Sequence, residues 1–233
     1  MGKDKLKRFA ENLTFRHLIQ PPLEKIIQEN HPLKGNWNQT IFGTEKPLIL
    51  ELGCGKGEYT IGLSRAYPNK NFIGVDIKGA RLWRGAKTIQ DEKITNAAFL
   101  RTRIEFISSF FNPGEVNEIW ITFPDPQLKE RRAKKRLTAP DFLLQYQKFL
   151  APDGCVHLKT DSFELFQFTL DVLKKNNLEV LYQSEDIYQE LKHLPDISIK
   201  TYYENRFIEQ GKKITYIQFK LNTAEKYFFP DNI

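Results

Sequence analysis

A carboxylate held between two prolines and followed directly by a basic run is the first feature of the sequence that could carry chemistry. Residues 122–136 read T-F-P-D-P-Q-L-K-E-R-R-A-K-K-R, with Asp125 between the prolines and six basic residues within positions 129–136. Proline fixes the backbone φ angle, so Asp125 is predicted to lie on a rigid turn. Concentrated positive charge attracts a polyanion. The segment therefore predicts a site that binds a polyanion and acts on one part of it, with a solvated charged loop as the alternative.

A glycine-rich loop predicts a second site, for a ligand that contains a nucleoside. The first apolar run ends in E-L-G-C-G-K-G, with Glu51 followed by Gly53, Gly55 and Gly57, and glycines permit a tight turn and a close ligand approach. The third glycine comes one residue too early for the dinucleotide fingerprint G-x-G-x-x-G, and Glu51 would repel a pyrophosphate. S-adenosylmethionine, which carries an ammonium and a sulfonium but no phosphate, fits the loop better. Asp76 ends the second predicted strand, where a carboxylate can accept hydrogen bonds from ribose hydroxyls.

The order of the predicted elements brings both features to one edge of a sheet. Apolar runs predict strands at 48–53, 71–77, 97–103, 118–123, 155–160, 178–184 and 213–221, and helices are predicted at 23–30, 58–67, 79–90, 140–150 and 162–175. Thr138 is the predicted N-cap of the fourth of these helices, with Pro140 in its first turn. Alternating strands and helices predict a doubly wound parallel sheet, with the last two strands as an antiparallel pair joined by a polar loop. Ligands of such sheets bind outside the carboxyl ends of the strands, so Asp125 and Asp161 should border one crevice.

The bulk properties favour a globular protein with an anionic partner. The 233 residues carry a formal net charge of +6, and positions 129–136 alone contribute +5 from six bases and Glu130. We expect a basic arm with a short helix at residues 1–46 and the α/β domain at residues 47–233. No apolar run is long enough to span a membrane, and the N-terminus lacks the apolar core of a secretory signal. Two cysteines and four histidines suggest neither a disulfide scaffold nor a metal cluster, so we expect a cytoplasmic protein.

Six short motifs together resemble the tRNA (guanine-N7)-methyltransferase family, which has the class I S-adenosylmethionine-dependent fold. They are K-G-N-W (34–37), E-L-G-C-G-K-G (51–57), G-V-D-I (74–77), F-P-D-P-x-x-K-x-R (123–131), K-T-D (159–161) and T-Y-Y-E with Phe207 (201–207). The glycine loop is common to many methyltransferases, whereas F-P-D-P with the basic run, K-T-D and the late T-x-x-E are narrower. The resemblance covers most of the chain. It implies an α/β, Rossmann-like fold with a seven-stranded, mostly parallel sheet and an antiparallel C-terminal strand.

The resemblance implies transfer of a methyl group from S-adenosylmethionine to N7 of a guanine in the tRNA variable loop, which leaves S-adenosylhomocysteine and needs no metal. It implies tRNA as the partner. No obligate protein partner is evident from the sequence, which leaves open whether the protein is a monomer or a homodimer. The implied catalytic residues are Asp125 and Asp161. The implied cofactor-binding residues are Glu51, Gly53, Gly55, Gly57, Asp76, Ile77, Arg103, Ile104 and Asp125. The implied RNA-binding residues are Lys129, Arg131, Arg132, Lys134, Lys135, Arg136, Asp161, Thr201 and Glu204.

Three positions depart from the usual pattern of that family. Gln127 stands where the family usually has tryptophan, and the usual R-H of the basic run reads Arg131-Arg132. Arg103 stands where an acid or an amide is expected beside the adenine. Backbone groups can also bind an adenine, so Arg103 does not argue against the cofactor, and the role of its side chain is left open.

The chemistry of guanine N7 sets what the acids must do. N7 has an in-plane lone pair and can take a methyl group without losing a proton, so alignment matters more than a general base. The methylated ring is positively charged, and Asp125, Asp161 and Glu204 are the acids expected to stabilise it or to accept hydrogen bonds from the guanine N1–H and amine. The sequence does not divide these roles among the three.

Each assignment has an alternative. Asp125 could be only a turn residue, Asp161 could cap the helix that follows it, and Lys159 could belong simply to the strand end. Thr201 and Glu204 lie in a polar loop. A methyltransferase acting on an exocyclic amine of a nucleic-acid base is the nearest other function, although its motif places the aromatic residue after the prolines. A non-catalytic RNA-binding protein of the same fold is the other alternative, which cofactor binding would exclude.

Overall fold

The computed structural model describes residues 2–190 and 199–231, in which strands and helices alternate. The strands are β1 (Leu18–Ile19), β2 (Leu48–Leu52), β3 (Asn71–Asp76), β4 (Ala97–Arg101), β5 (Val116–Thr122), β6 (Leu150–Thr160), β7 (Val180–Ser184) and β8 (Thr215–Phe219). The α-helices are α1 (Gly2–Asn12), α2 (Leu23–Gln28), α3 (Glu58–Ala66), α4 (Gly79–Glu92), α5 (Pro140–Gln147), α6 (Phe163–Lys175), α7 (Ile187–Glu190) and α8 (Tyr202–Glu209). Shorter helical turns lie at Asn38–Phe42, Ile104–Ser109 and Glu130–Lys135.

The strands form one eight-stranded sheet in the order β1-β4-β3-β2-β5-β6-β8-β7. β8 runs antiparallel to both β6 and β7, and the other neighbouring strands are parallel. The predicted doubly wound, mostly parallel sheet with an antiparallel C-terminal strand is therefore confirmed. The eighth strand is β1, which pairs with β4 in the register Leu18↔Phe99. Two residues are too few to show the alternation by which a strand is recognised in a sequence.

The centre of the sheet is buried on both faces. Every residue of β2 and β3 is buried, as expected for parallel strands that are covered on both sides and therefore read as continuous apolar runs. Trp37 of the K-G-N-W motif is fully buried, stacks on Phe111 and donates its indole N–H to the Phe110 carbonyl at 2.8 Å. That motif therefore contributes to the hydrophobic core.

The N-terminal segment is more ordered than its sequence predicts. Residues 2–12 form α1, which lies against α4: the Asn12 side-chain amide donates to the Gly79 carbonyl at 2.9 Å. The indole of Trp83 donates to the Glu11 carboxylate at 2.7 Å. Short helices gain most of their stability from such tertiary contacts, which a local pattern does not reveal.

Two local predictions are corrected by the structure. Thr138 is not the N-cap of α5, because Ala139 occupies that position and the buried Thr138 hydroxyl hydrogen-bonds the Thr169 hydroxyl at 2.7 Å. The polar loop predicted between the last two strands contains α7 and α8. Residues 191–198 of that loop lie outside the described residues.

Candidate active site

Two adjoining cavities open at the carboxyl ends of the parallel strands. The larger, of about 580 Å³, is lined by residues that include Gly53, Asp76, Ile77, Thr102, Arg103, Ile104, Glu105, Gln127, Lys134, Lys135 and Gln145. The smaller, of about 100 Å³, is lined by residues that include Glu51, Gly53, Lys56, Glu58, Arg81, Thr122, Phe123, Thr201 and Tyr203. Gly53 belongs to both linings, so the two cavities meet at the glycine loop.

The three glycines of the loop have different roles. All three have left-handed backbone conformations, with φ angles of 77°, 58° and 76° at Gly53, Gly55 and Gly57. A side chain at Gly55 would meet open space, and one at Gly53 would meet only Leu137 at 4.0 Å. A side chain at Gly57 would instead overlap the ring of Phe99. The first two glycines therefore leave room for a ligand, whereas Gly57 allows α3 to pack closely on the sheet.

Asp76 is held in a fixed orientation at the end of β3. Its two carboxylate oxygens accept hydrogen bonds from the backbone N–H groups of Gly55 (3.0 Å) and Lys78 (2.7 Å). The residue is 8% exposed and lines the larger cavity. Each carboxylate oxygen has a second lone pair, so the group can still accept hydrogen bonds from a ligand.

Glu51 is a buried carboxyl beside the smaller cavity. It accepts hydrogen bonds from the Thr122 hydroxyl (2.6 Å), the Thr60 backbone N–H (2.8 Å) and the Thr60 hydroxyl. Burial raises the pKa of Glu51 to about 7, because desolvation outweighs the hydrogen bonds from Thr122 and Thr60, and the nearby charge of Asp76 adds to the rise. The group is thus close to half ionised at neutral pH, and a cation in the cavity would favour its charged form.

The F-P-D-P turn brings Gln127, and not Asp125, to the larger cavity. Asp125 is exposed, and its carboxylate accepts a hydrogen bond from the Gln127 backbone N–H at 3.0 Å. Gln127 has a φ angle of 47°, and its buried side-chain oxygen has no hydrogen-bond partner within the described part of the chain. Both observations fit a turn whose side chains are arranged for a ligand, since such conformations and orphan acceptors are unfavourable by themselves.

Five of the six bases of the predicted RNA-binding run are exposed, and Arg136 is not. The exposed bases are Lys129, Arg131, Arg132, Lys134 and Lys135. Arg136 is 7% exposed, stacks on Phe168 at 4.3 Å and donates to the carbonyls of Pro126 (3.1 Å) and Gln127 (3.4 Å). The structure thus separates Arg136 from the exposed bases and places it beneath the F-P-D-P turn, which it holds.

Asp161 follows β6 and forms an ion pair with Lys212 at 2.6 Å. The neighbouring Ser162 is the N-cap of α6, and its hydroxyl accepts from the Leu165 backbone N–H at 3.2 Å. The alternative in which Asp161 caps this helix is therefore wrong. Asp161 lies at the carboxyl end of its strand, as predicted, but the described linings of the two cavities do not include it.

Glu204 faces the protein interior and forms an ion pair with Lys159. Both side chains are fully buried, and the carboxylate and ammonium are 2.8 Å apart. The Tyr188 hydroxyl also donates to Glu204, and burial together with this carboxylate raises the pKa of Tyr188. Thr201 and Glu204 form a capping box at the start of α8. Thr201 lines the smaller cavity, whereas Glu204 stabilises the helix beneath it, and this pairing with Lys159 was not predicted from the sequence.

Arg103 forms an ion pair with Glu105 at 2.8 Å on the wall of the larger cavity, beside Ile77 and Ile104. No group of side chains suited to a metal ion is found within the described ranges. No helix among these residues is long and apolar enough to cross a membrane.

Comparisons with known proteins agree with this arrangement. The family model described as "Putative methyltransferase" matches residues 45–217. The tRNA (guanine-N(7)-)-methyltransferase of Christiangramia forsetii is 51% identical over 221 residues, which cover 94% of this chain and 99% of that protein. The protein of the same name from Bacteroides thetaiotaomicron is 48% identical, over 95% of this chain and 87% of its own.

Solved structures share the fold at low sequence identity. The 16S rRNA methyltransferase KamB matches with a TM-score of 0.63 at 12% identity, over 84% of this chain and 96% of its own. The 30S ribosomal A1408 methyltransferase from an uncultured bacterium matches with a TM-score of 0.55 at 20% identity, over 84% and 97% of the two chains. At these identities the likeness concerns the fold alone.

Proposed function

This chain belongs to the tRNA (guanine-N(7)-)-methyltransferase family, and from that premise we propose that it transfers a methyl group from S-adenosylmethionine to N7 of a guanine in the tRNA variable loop. The observation that carries the proposal is the meeting of the two cavities at Gly53. A cofactor in the larger cavity and a base in the smaller one would approach each other there.

The residues present fit the cofactor. The larger cavity has a volume of about 580 Å³, within the range of small-molecule sites. Gly53 and Gly55 leave the space that their side chains would fill. Asp76 would accept hydrogen bonds from the ribose hydroxyls. Glu51, which lines the smaller cavity close to Gly53, would attract the ammonium group at the end of the cofactor that reaches the junction of the two cavities. When bound, the cofactor supplies a sulfonium methyl group that a nucleophile can take.

The chain's own residues would position the base and stabilise its charge. Guanine N7 needs no general base, so the main work is alignment, which can lower a barrier by several kcal/mol. The product ring is cationic, and carboxylates at the crevice would favour that charge as it develops. We assign the stabilisation of this charge to the carboxylates of Asp161 and Asp125. Asp161 would either leave its ion pair with Lys212 or keep it while it interacts with the base. Thr201 would contact the base, whereas Glu204 would act as a positioning residue through α8.

The RNA backbone would be held by the exposed bases Lys129, Arg131, Arg132, Lys134 and Lys135. Lys134 and Lys135 stand at the larger cavity, so phosphates bound there would lie beside the cofactor. Arg136 would contribute through the F-P-D-P turn that it holds.

The test is methyl transfer from labelled S-adenosylmethionine to unmodified tRNA transcripts, with the product nucleoside identified by mass spectrometry. We expect 7-methylguanosine from the wild type. Asp161→Ala should lose at least about tenfold in kcat, which corresponds to about 1.4 kcal/mol. Asp153 is an exposed acid near the other end of β6. The variant Asp153→Ala is therefore the matched control and should retain activity. Label on an exocyclic amine would reassign the reaction, and no label on any RNA with the cofactor still bound would refute the substrate.

A further inference from the structure

A second group of basic side chains surrounds the N-terminus of α4, outside the run at 129–136. We call it the α1–α4 basic surface, and its six members come from α1, from the start of α4 and from the end of β4. All six are exposed: Lys5, Arg8, Lys78, Arg81, Arg84 and Arg101.

Packing of α1 across α4 brings these residues together. The Arg8 guanidinium lies over the ring of Trp83, 4.7 Å from its centre. The ring of Phe9 has Lys5 at 5.9 Å and Arg101 at 5.5 Å. Two cations thus converge on one aromatic side chain, and like charges at such separations repel each other.

The positive charge of this surface has no paired carboxylate among the side chains that the structure describes. None of the six side chains forms an ion pair with a side chain in 5–190 or 199–231, the ranges whose side chains the structure describes. The carboxylate of the nearby Glu11 accepts a hydrogen bond from the Trp83 indole and forms an ion pair with Lys87 at 3.4 Å. The first turn of α4 carries no acid, although cations there oppose the helix dipole. An anionic partner would therefore stabilise the surface.

The surface reaches the crevice at the smaller cavity, through Arg81. Arg81 lines the smaller cavity together with Lys56, whereas Lys134 and Lys135 of the basic run line the larger one. Each of the two basic regions therefore borders a different cavity. Six cations spread over three elements exceed what one small anion could contact, and arginine's planar fork is suited to phosphate.

We propose that the α1–α4 basic surface binds a second stretch of the RNA phosphate backbone, so that the RNA contacts both basic regions while its base occupies the smaller cavity. This inference rests on the proposed function. The two regions together would fix the direction in which the strand crosses the crevice, which neither could do alone.

The test measures the Kd of an unmodified tRNA transcript as a function of salt for Arg8→Ala/Lys78→Ala/Arg84→Ala. Arg81 is left intact because it lines the smaller cavity. Each lost phosphate contact should reduce the slope of log Kd against log salt by about 0.7–0.9, so the variant should lose about two units of slope. The matched control Lys25→Ala/Lys148→Ala/Lys174→Ala removes the same charge from exposed positions and should keep the wild-type slope.

Calorimetry of S-adenosylhomocysteine binding checks that the variant retains its cofactor site. If loss of the Arg8–Trp83 contact lowers stability, Lys78→Ala/Arg84→Ala addresses the same question with an expected slope change of about 1.5. If the variant binds the cofactor and its slope of log Kd against log salt equals that of the wild type, the α1–α4 basic surface does not bind RNA. That result would not affect the proposed methylation of tRNA by the wild type. If the wild type itself neither bound nor methylated tRNA, both the inference and the proposed function would fail.

Discussion

Glu51 is a buried carboxyl whose ionisation lowers the stability of the ligand-free protein. Its pKa is raised from 4.5 to about 7 by burial, so the folded protein holds the proton more tightly than the unfolded chain does. Between these two pH values the free energy of unfolding therefore falls as the pH rises. A pKa difference of one unit corresponds to about 1.4 kcal/mol, so the free energy of unfolding is lowered by about 3 kcal/mol above pH 7. Below pH 4.5 the carboxyl is protonated in both states and the free energy of unfolding is not lowered.

We predict that Glu51→Gln raises the free energy of unfolding of the ligand-free protein at pH 8 by about 1–3 kcal/mol. The gain should shrink as the pH is lowered to 5, because the wild-type carboxyl is then protonated. Urea unfolding at both pH values measures it, with the exposed Glu24→Gln as control. Affinity for S-adenosylmethionine should fall in the same variant. A variant less stable than the wild type at pH 8 would contradict this account of Glu51.

At the residue scale the sequence predicted the cavity-lining residues of the glycine loop and of the end of β3 better than the later acids Asp125, Asp161 and Glu204. Asp76, Gly53 and Gly55 lie where the glycine loop and the strand end placed them, since these features follow from strand order. Glu204 does not, because T-x-x-E is also the pattern of a capping box. The same spacing therefore fitted a base-binding pair and a helix start. The observed capping box and the ion pair of the buried Glu204 with Lys159 distinguish them.

At the scale of the secondary-structure elements, the ion pair between Lys159 and Glu204 joins α8 to the end of β6. We predict that Glu204→Gln lowers the free energy of unfolding by about 3–5 kcal/mol, because it leaves the buried Lys159 ammonium without its carboxylate. Thr201→Val removes only the cap bond and should lose about 1 kcal/mol. Urea unfolding measures both.

A double variant separates the ion pair from general packing. Lys159→Met/Glu204→Leu replaces both charges with apolar groups and should recover part of the stability lost in Glu204→Gln, since well-packed apolar residues can substitute for a buried pair. Stability within about 1 kcal/mol of the wild type in the single variant would show that water or a rearrangement compensates the charge.

The basic run shows why local structure could not be predicted in full. Residues Glu130–Lys135 form a 3₁₀ turn, and Arg136 follows as its C-cap with an extended backbone. Ala133 and Arg136 are both buried. The sequence offers six bases of the same type and no apolar period. The separation of Arg136 from the others depends on Phe168 and on the F-P-D-P carbonyls, which are distant in sequence or irregular in conformation.

At the scale of the whole molecule, the architecture was predictable because each long buried strand is a continuous apolar run. The sheet order places the carboxyl ends of β2 and β3 beside that of β5, and the crevice follows from that order. What the sequence did not predict is the docking of α1 on α4. That contact joins residues about 70 positions apart, and it assembles a basic surface from charges that look scattered along the chain.

The distribution of charge predicts different salt dependences for the two ligands. Bases that bind phosphates release counterions, so the Kd for tRNA should rise about 100-fold or more between 50 and 200 mM salt if five or more of the proposed contacts form. The Kd for S-adenosylhomocysteine should change by less than about threefold, because Asp76 and Glu51 are buried and screened less by salt. Fluorescence anisotropy and calorimetry measure the two constants on the same preparation. Equal salt dependence for both ligands would mean that the basic surfaces do not bind RNA backbone, and that the net charge of +6 serves another purpose.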